Sequence, residues 1–170
     1  MPVRVEEKTA VSVFPSGRSI LIIDDDEGVL GALKRIFRGK LEVHAADDGA
    51  AGISALKNSS YDAILCDMMM PTPDGKDVYE YLRENKEEHV GRLVFITGGT
   101  FTPRLKQFYE QIEGVIPVLL KPFSPAQVLS AIEKILYRST SSPAHGPDEH
   151  PLSGAGATGE FKIAQPDSRP

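Results

Sequence analysis

The chain has 170 residues, of which 41% are hydrophobic and 25% are charged, as in an ordinary globular protein. Its net charge is −5 and its basic residues are scattered, which argues against direct DNA binding. No apolar run approaches the ~20 residues of a membrane helix, and a single cysteine, Cys66, excludes an internal disulfide, so we expect a cytoplasmic protein without membrane contact.

The composition divides the chain into three parts. Residues 1–17 are predicted to form a flexible leader, and residues 18–138 alternate apolar runs with helical patterns. Residues 139–170 are rich in Pro, Gly, Ser and Ala and show no periodicity, which predicts a disordered tail.

Five short apolar runs are predicted to be β-strands. Several are almost continuously apolar, as expected of strands that are buried on both faces. Pro117 cannot donate a ladder hydrogen bond, so the fifth strand is expected at an edge of the sheet or starting after this residue. The candidates are Ile20–Ile23, Leu41–Ala45, Tyr61–Cys66, Leu93–Ile96 and Val115–Leu120.

Helical signals separate these runs, giving five strand–helix units. Leu30, Leu33 and Phe37 share one face at helical spacing. Thr102 precedes a proline, and Ser124 precedes another with Gln127 behind it, which is typical of capped helix starts. Strands that alternate with helices predict an α/β fold with a parallel sheet covered on both faces.

Polar side chains follow four of the predicted strands. Asp24 and Asp25 come after the first strand, Asp67 after the third, Thr97 after the fourth and Lys121 after the fifth. Open α/β sheets bind their ligands outside the carboxyl ends of the strands. We therefore expect these five side chains to converge at one rim of the sheet, provided that strands one and three are neighbours.

Such a cluster of carboxylates predicts a bound Mg2+ ion. Two carboxylates at ~4 Å repel by ~1 kcal/mol in water and by more in a partly dry cleft. Mg2+ takes one or two carboxylates and keeps its other positions for water and phosphate oxygens, whereas zinc prefers histidine and cysteine. An aspartate can also accept a phosphoryl group, with Lys121 and Thr97 as charge and hydroxyl donors and Gly98 leaving room.

Several nearby residues are expected to be structural. Asp26 is predicted to cap a helix, with Glu27 in its first turn. Cys66 is predicted to be a core residue, and Met68, Met69 and Met70 to be loop and packing residues. We expect the four histidines to lie on the surface or in the tail; they are His44, His89, His145 and His150.

Four motifs resemble those of the response regulator receiver family of two-component signalling. They are ILIIDDDE, ILCDMMMPTPDG with Pro71 and Gly75 in its loop, FITGG and LLKPF. The resemblance spans residues 19–138 and implies a doubly wound, flavodoxin-like sheet of order 2-1-3-4-5 with five helices. It also implies a cis Lys121-Pro122 bond.

The resemblance implies a role for each site residue. Asp67 is expected to be the phosphoacceptor, and Thr97 and Lys121 to contact the phosphoryl group. These groups imply a protein that catalyses its own phosphorylation and dephosphorylation rather than a conventional turnover enzyme.

The resemblance also implies a cofactor and partners. Mg2+ is expected to bind Asp25, Asp67 and the backbone carbonyl of Met69, with Asp24 helping through water. The implied phosphodonor is a sensor histidine kinase or a histidine phosphotransfer protein, and the output is an unidentified downstream protein. Val118 departs from the family pattern, because many members carry an aromatic residue there that rotates inward on activation.

Three alternatives remain open from the sequence. Asp24 and Asp26 have the Asp-x-Asp spacing of haloacid-dehalogenase-like phosphatases. That family needs a further acidic pair at a strand end after the lysine, but the rest of the predicted receiver region offers only Glu133, inside a helix, and Asp67 would be unexplained. A second is a receiver-like binding module that signals without phosphate. The third alternative concerns the protein in which the receiver occurs. It is either a stand-alone receiver or the receiver of a hybrid kinase, and the TGGTFTP stretch slightly favours the hybrid kinase.

Overall fold

A computed structural model of the chain describes residues 14–99 and 101–140, the side chains as far as residue 138. The predicted tail, with His145 and His150, lies outside the described residues, as do residues 1–13 of the predicted leader. Phe14 falls within the leader range, yet it is buried, and its ring meets that of Phe37 edge-on with centroids 6.5 Å apart.

Five parallel strands form one sheet in the order β2-β1-β3-β4-β5, as predicted. The first and third strands are therefore neighbours. The fifth strand lies at an edge and begins directly after Pro117, so both expectations for this strand are confirmed. The strands are β1 Ser19–Ile23, β2 Glu42–Ala46, β3 Ala63–Asp67, β4 Leu93–Thr97 and β5 Val118–Leu120.

Within the described residues, six helices connect and flank the strands, rather than the five predicted. The additional one is a four-residue turn, α4, and a turn of that length has no apolar periodicity that a sequence pattern can detect. No helix among the described residues is long and apolar enough to cross a membrane. The helices are α1 Glu27–Phe37, α2 Gly49–Asn58, α3 Gly75–Asn85, α4 Glu87–Val90, α5 Pro103–Ile112 and α6 Pro125–Thr140.

The predicted helix starts are confirmed by their hydrogen bonds. Asp26 accepts from two backbone N–H groups of the first turn of α1, and the Thr102 hydroxyl accepts from Leu105 N in α5. Ser124 and Gln127 form a reciprocal capping box at α6. These caps fix where each helix leaves the rim of the sheet.

Apolar side chains bury the sheet on both faces, which is the doubly wound arrangement. Helices α2, α3 and α5 cover one face through residues such as Leu56, Leu82 and Phe108. Helices α1 and α6 cover the other through residues such as Leu33 and Ile132. The central strands β1, β3 and β4 are almost completely buried, which accounts for their continuously apolar sequences.

The prediction that His89 lies on the surface is wrong. Its side chain is 4% exposed, and its ring nitrogens face Glu88 and Arg92. Arg92 also donates to the Tyr61 carbonyl, which draws the α4 turn onto the chain before β3. His44 is exposed, as expected.

Candidate functional site

Three carboxylates meet at the carboxyl end of the sheet. Asp24 follows β1 and Asp67 ends β3, and these strands are paired, with Ile23 opposite Cys66. Asp24, Asp25 and Asp67 each offer an oxygen atom, and all three atoms lie within 4.8 Å of one another. Asp24 is fully buried and Asp25 is exposed, so the group runs from the interior to an open rim.

Lys121 reaches this group from the edge strand. Its Nζ atom donates to Asp67 Oδ2 at 2.7 Å and to Asp24 Oδ2 at 3.0 Å. The backbone N–H of Lys121 donates to the Thr97 carbonyl at 2.8 Å, which fixes the root of the side chain beside β4. The Lys121-Pro122 bond that follows is cis, as the resemblance implied.

Burial and ion pairing set the charges of the cluster. Burial raises the pKa of Asp24, although hydrogen bonds from the Asp26 N–H and from Lys121 work against that rise. Burial alone would lower the pKa of Lys121, but its hydrogen bonds to Asp67 and Asp24 raise it. Lys121 therefore stays protonated near neutral pH and offsets part of the negative charge.

Thr97 ends β4 beside the acidic group. The ladder places Asp67 opposite Ile96, so Thr97 lies one residue further along the neighbouring strand. Its hydroxyl is buried and accepts a hydrogen bond from the Gly99 N–H at 3.4 Å. A Cβ atom on Gly98 would meet no other atom within 4 Å, so there is open space after the strand.

The donor set suits Mg2+. Its three candidate ligands are carboxylate oxygens, which this ion prefers, and the three atoms lie within 4.8 Å of one another, as in a group that could hold one ion. The Met69 N–H donates to Asp67 Oδ1 at 2.8 Å, which orients the carboxylate, while the Met69 carbonyl as a ligand stays a prediction. The Asp26 side chain caps α1, whereas Asp24 belongs to the acidic group. The two aspartates of the Asp-x-Asp pair therefore do not act together as the phosphatase alternative requires.

Gly75 has a role that the sequence interpretation missed. The motif predicts a loop position for Gly75, but it is the first residue of α3. A Cβ atom there would lie 2.6 Å from Met68 Cα and 2.7 Å from the Asp67 carbonyl oxygen. The absent side chain therefore lets α3 begin directly against the backbone of the site, and the Asp-Gly dipeptide was the available signal for a backbone constraint.

An ion-pair cluster near the site was also missed. Asp74 caps α3 and forms a capping box with Asp77. Arg104 in the first turn of α5 donates to Asp74 Oδ2, and to Asp77 Oδ1 at 2.7 Å. No local sequence pattern predicts this cluster, because Arg104 is 30 residues from Asp74 and 27 residues from Asp77 in the chain.

Comparison with known proteins points to one family. Over residues 20–133 the chain matches the family described as the response regulator receiver domain. Transcriptional regulatory protein SrrA of Staphylococcus aureus is 30% identical over 132 residues, which are 77% of this chain and 53% of that protein. The chain thus spans about half the length of the curated relatives it matches. That relative's name concerns transcription, in contrast to our prediction of no direct DNA binding, which stays untested.

Solved structures share the fold. A CheY-like receiver domain protein of Methanospirillum hungatei superposes with a TM-score of 0.63 at 25% identity, over 74% of this chain and 98% of its own. Chemotaxis protein CheY4 of Vibrio cholerae superposes with a TM-score of 0.60 at 23% identity, over 70% of this chain and 98% of its own. The second identity is low enough that it shows the fold alone.

Proposed function

The chain belongs to the response regulator receiver domain family, and on that premise we propose that it is a phosphorylation switch in which Asp67 accepts a phosphoryl group. The observation that carries the proposal is the Lys121 ammonium group bridging Asp67 and Asp24 inside a group of three carboxylates. A cation held against a nearly buried carboxylate at a strand end supplies the positive charge that phosphoryl transfer to that carboxylate requires.

The proposed reaction begins with the Asp67 carboxylate as nucleophile. One of its oxygen atoms attacks the phosphorus of a phosphohistidine donor, a P–O bond forms, and the P–N bond breaks with its electron pair left on the donor imidazole. The Met69 N–H and Lys121 hold the two Asp67 oxygens, which limits the rotation of the carboxylate before attack. The donor is a sensor histidine kinase or a histidine phosphotransfer protein.

Several groups stabilise the transferred phosphoryl group in this proposal. Asp25, Asp67 and the Met69 carbonyl would hold Mg2+, with Asp24 helping through water, and the ion would supply positive charge at the phosphoryl oxygens. Lys121 supplies a second positive charge. The Thr97 hydroxyl accepts from Gly99 and still has its proton to donate to a phosphoryl oxygen.

The output of the switch is a change of surface. A phosphoryl group adds ~1.5 to 2 negative charges at neutral pH, and it attracts the donors of Thr97 and Lys121. The loop after β4 leads directly into α5, so its movement alters the face formed by α5, β5 and α6. A downstream protein would bind that altered face.

Phosphorylation by a small phosphodonor tests the proposal. With acetyl phosphate and Mg2+, intact mass should rise by one acid-labile phosphoryl group, and chelation of Mg2+ should prevent the rise. Asp67→Asn should abolish labelling, whereas Asp62→Asn should not, because Asp62 pairs with Arg18 at the opposite end of the sheet. Labelling that persists in Asp67→Asn contradicts the assignment. Mg2+ binding that is absent, or that Asp25→Ala leaves unaffected, favours the phosphate-independent binding module.

A further inference from the structure

The Arg104 guanidinium joins the two helices that leave the site. α3 follows Asp67 at the end of β3, and α5 follows Thr97 at the end of β4. Arg104 lies in the first turn of α5 and donates to Asp74 and Asp77, which form the capping box of α3. We call these hydrogen bonds of Arg104 to Asp74 and Asp77 the fork. The fork ties the starts of both helices together a few residues beyond the proposed site.

The connection to the site is short on both sides. Gly75, next to Asp74, lies against the backbone of Asp67 and Met68, and its N–H donates to the Met68 carbonyl at 3.2 Å. On the other side, α5 begins six residues after Thr97. A displacement at the end of β3 therefore reaches the fork through the close backbone contact at Gly75, and one at the end of β4 reaches it along the six-residue step from Thr97 to α5.

The fork is the directional part of the contact between α5 and the rest of the domain. The Asp74 side chain is 8% exposed and that of Asp77 25% exposed, while the Arg104 side chain is 43% exposed, so the hydrogen bond to Asp74 is the more shielded of the two. The other described α5 contacts are mainly apolar, through Leu105, Phe108 and Ile112, and the hydrophobic driving force is less directional than a hydrogen bond. The strength of charge-assisted hydrogen bonds from one guanidinium group to two carboxylates depends strongly on where α5 lies relative to α3.

We propose that Arg104 restrains α5 in the unphosphorylated arrangement and so sets how readily the phosphoryl-bearing arrangement is adopted. This inference rests on the proposed function. When the Thr97 hydroxyl and the loop after it move toward a phosphoryl group on Asp67, the first turn of α5 is displaced from the α3 capping box. The fork opposes that displacement, and its loss shifts the equilibrium toward the phosphoryl-bearing arrangement.

Binding of beryllofluoride, a phosphoryl analogue, tests the restraint. In the presence of Mg2+, Arg104→Gln should bind the analogue roughly three- to tenfold more tightly than the unmodified protein, which is the usual size of such couplings. Arg104→Lys and Asp77→Asn should have intermediate effects, because each keeps part of the fork. Amide shifts of Gly98 and Gly99 report the binding, and Mg2+ affinity without the analogue should be unchanged.

Arg18→Gln is the matched control. It removes an ion pair of similar exposure with Asp62 at the opposite end of the sheet, so it lowers stability without touching either helix start. Its affinity for the analogue should equal that of the unmodified protein. Hydrogen exchange gives a second readout, since Leu105 and Lys106 amides should exchange faster in Arg104→Gln but not in Arg18→Gln.

The outcomes separate the two proposals. If the unmodified protein fails to bind the analogue, the proposed phosphorylation site itself is wrong. If the unmodified protein binds it and Arg104→Gln binds equally well or more weakly, the restraint alone is overturned. An equal gain in Arg18→Gln also overturns it, because general loosening would then explain the effect.

Discussion

Lys121 Nζ lies 2.7 Å from Asp67 Oδ2 although the two residues are 54 positions apart in the chain. Asp67 ends β3 and Lys121 directly follows β5, and β4 runs between these strands, so the lysine side chain reaches across the end of β4 to the carboxylate. The same ammonium group bonds to the fully buried Asp24. Lys121 therefore holds together carboxylates that would otherwise repel one another.

Removing this cation should destabilise the protein unless Mg2+ replaces it. Lys121→Met leaves the buried Asp24 and Asp67 carboxylates without their cationic partner, and we expect the free energy of unfolding to fall by about 1–3 kcal/mol without metal. Urea unfolding with and without Mg2+ measures this effect. The ion should restore more stability to the variant than it adds to the unmodified protein.

A matched lysine on an exposed helix surface provides the control. Lys106→Met, in α5, should leave both stability and the Mg2+ increment within about 0.5 kcal/mol of the original values. Equal Mg2+ increments in all three proteins would contradict a shared site for the lysine and the ion.

Two adjacent aspartates should differ sharply in Mg2+ binding. Asp25 offers an oxygen to the acidic group, whereas Asp26 caps α1. Asp25→Asn should weaken Mg2+ binding at least about tenfold with little change in stability, since the side chain is exposed. Asp26→Asn should bind the ion normally, because asparagine caps helices about as well as aspartate. Calorimetric titration with Mg2+ compares the two, and equal affinities would contradict the assignment.

The parts of the fold that were predictable are those with local causes. Strand β3 is a continuous apolar run because it is buried on both faces, and α6 starts where Ser124 and Gln127 form their capping box. The site was predictable because parallel strands end at one rim, so polar residues after successive strands must approach one another.

Other features depend on distances that no local pattern encodes. Arg104 meets Asp74 only because α3 and α5 start side by side, and His89 is buried only because the α4 turn packs back toward Tyr61. The close approach at Gly75 likewise becomes visible only when α3 is placed against Met68.

Alanine at Gly75 should be poorly tolerated. Its Cβ atom would lie 2.6 Å from a backbone atom of Met68, and backbone cannot move aside as a flexible side chain can. We expect Gly75→Ala to lower the free energy of unfolding by about 2–3 kcal/mol, as overpacking does. It should also slow the labelling of Asp67, because α3 must move away from the site backbone.

Gly91 provides the comparison for this substitution. A Cβ atom there would meet nothing within 4 Å, and the residue has an ordinary helical φ of −67°. Gly91→Ala should therefore be neutral or stabilise by up to about 1 kcal/mol. Thermal unfolding of both variants decides the matter, and similar losses at the two positions would show that the close approach at Gly75 is not the cause.

The burial of His89 predicts a pH dependence of stability. Burial and the nearby Arg92 lower the pKa of His89 below 6.5, and the Arg92 N–H faces one ring nitrogen, which must then accept. As pH falls, the unfolded chain binds the proton before the folded protein does. The free energy of unfolding should therefore decline from about pH 6.5 downward until the folded pKa is reached.

Substitution of this histidine should remove that decline. At pH 7.5, His89→Gln should be less stable than the unmodified protein by about 1–2 kcal/mol, because buried hydrogen bonds are altered. The gap should narrow toward about pH 5, since glutamine gains no proton. His44→Gln, at an exposed histidine, should track the unmodified protein throughout. Urea unfolding at a series of pH values measures all three, and a gap that stays constant with pH would show that His89 does not titrate differently in the folded state.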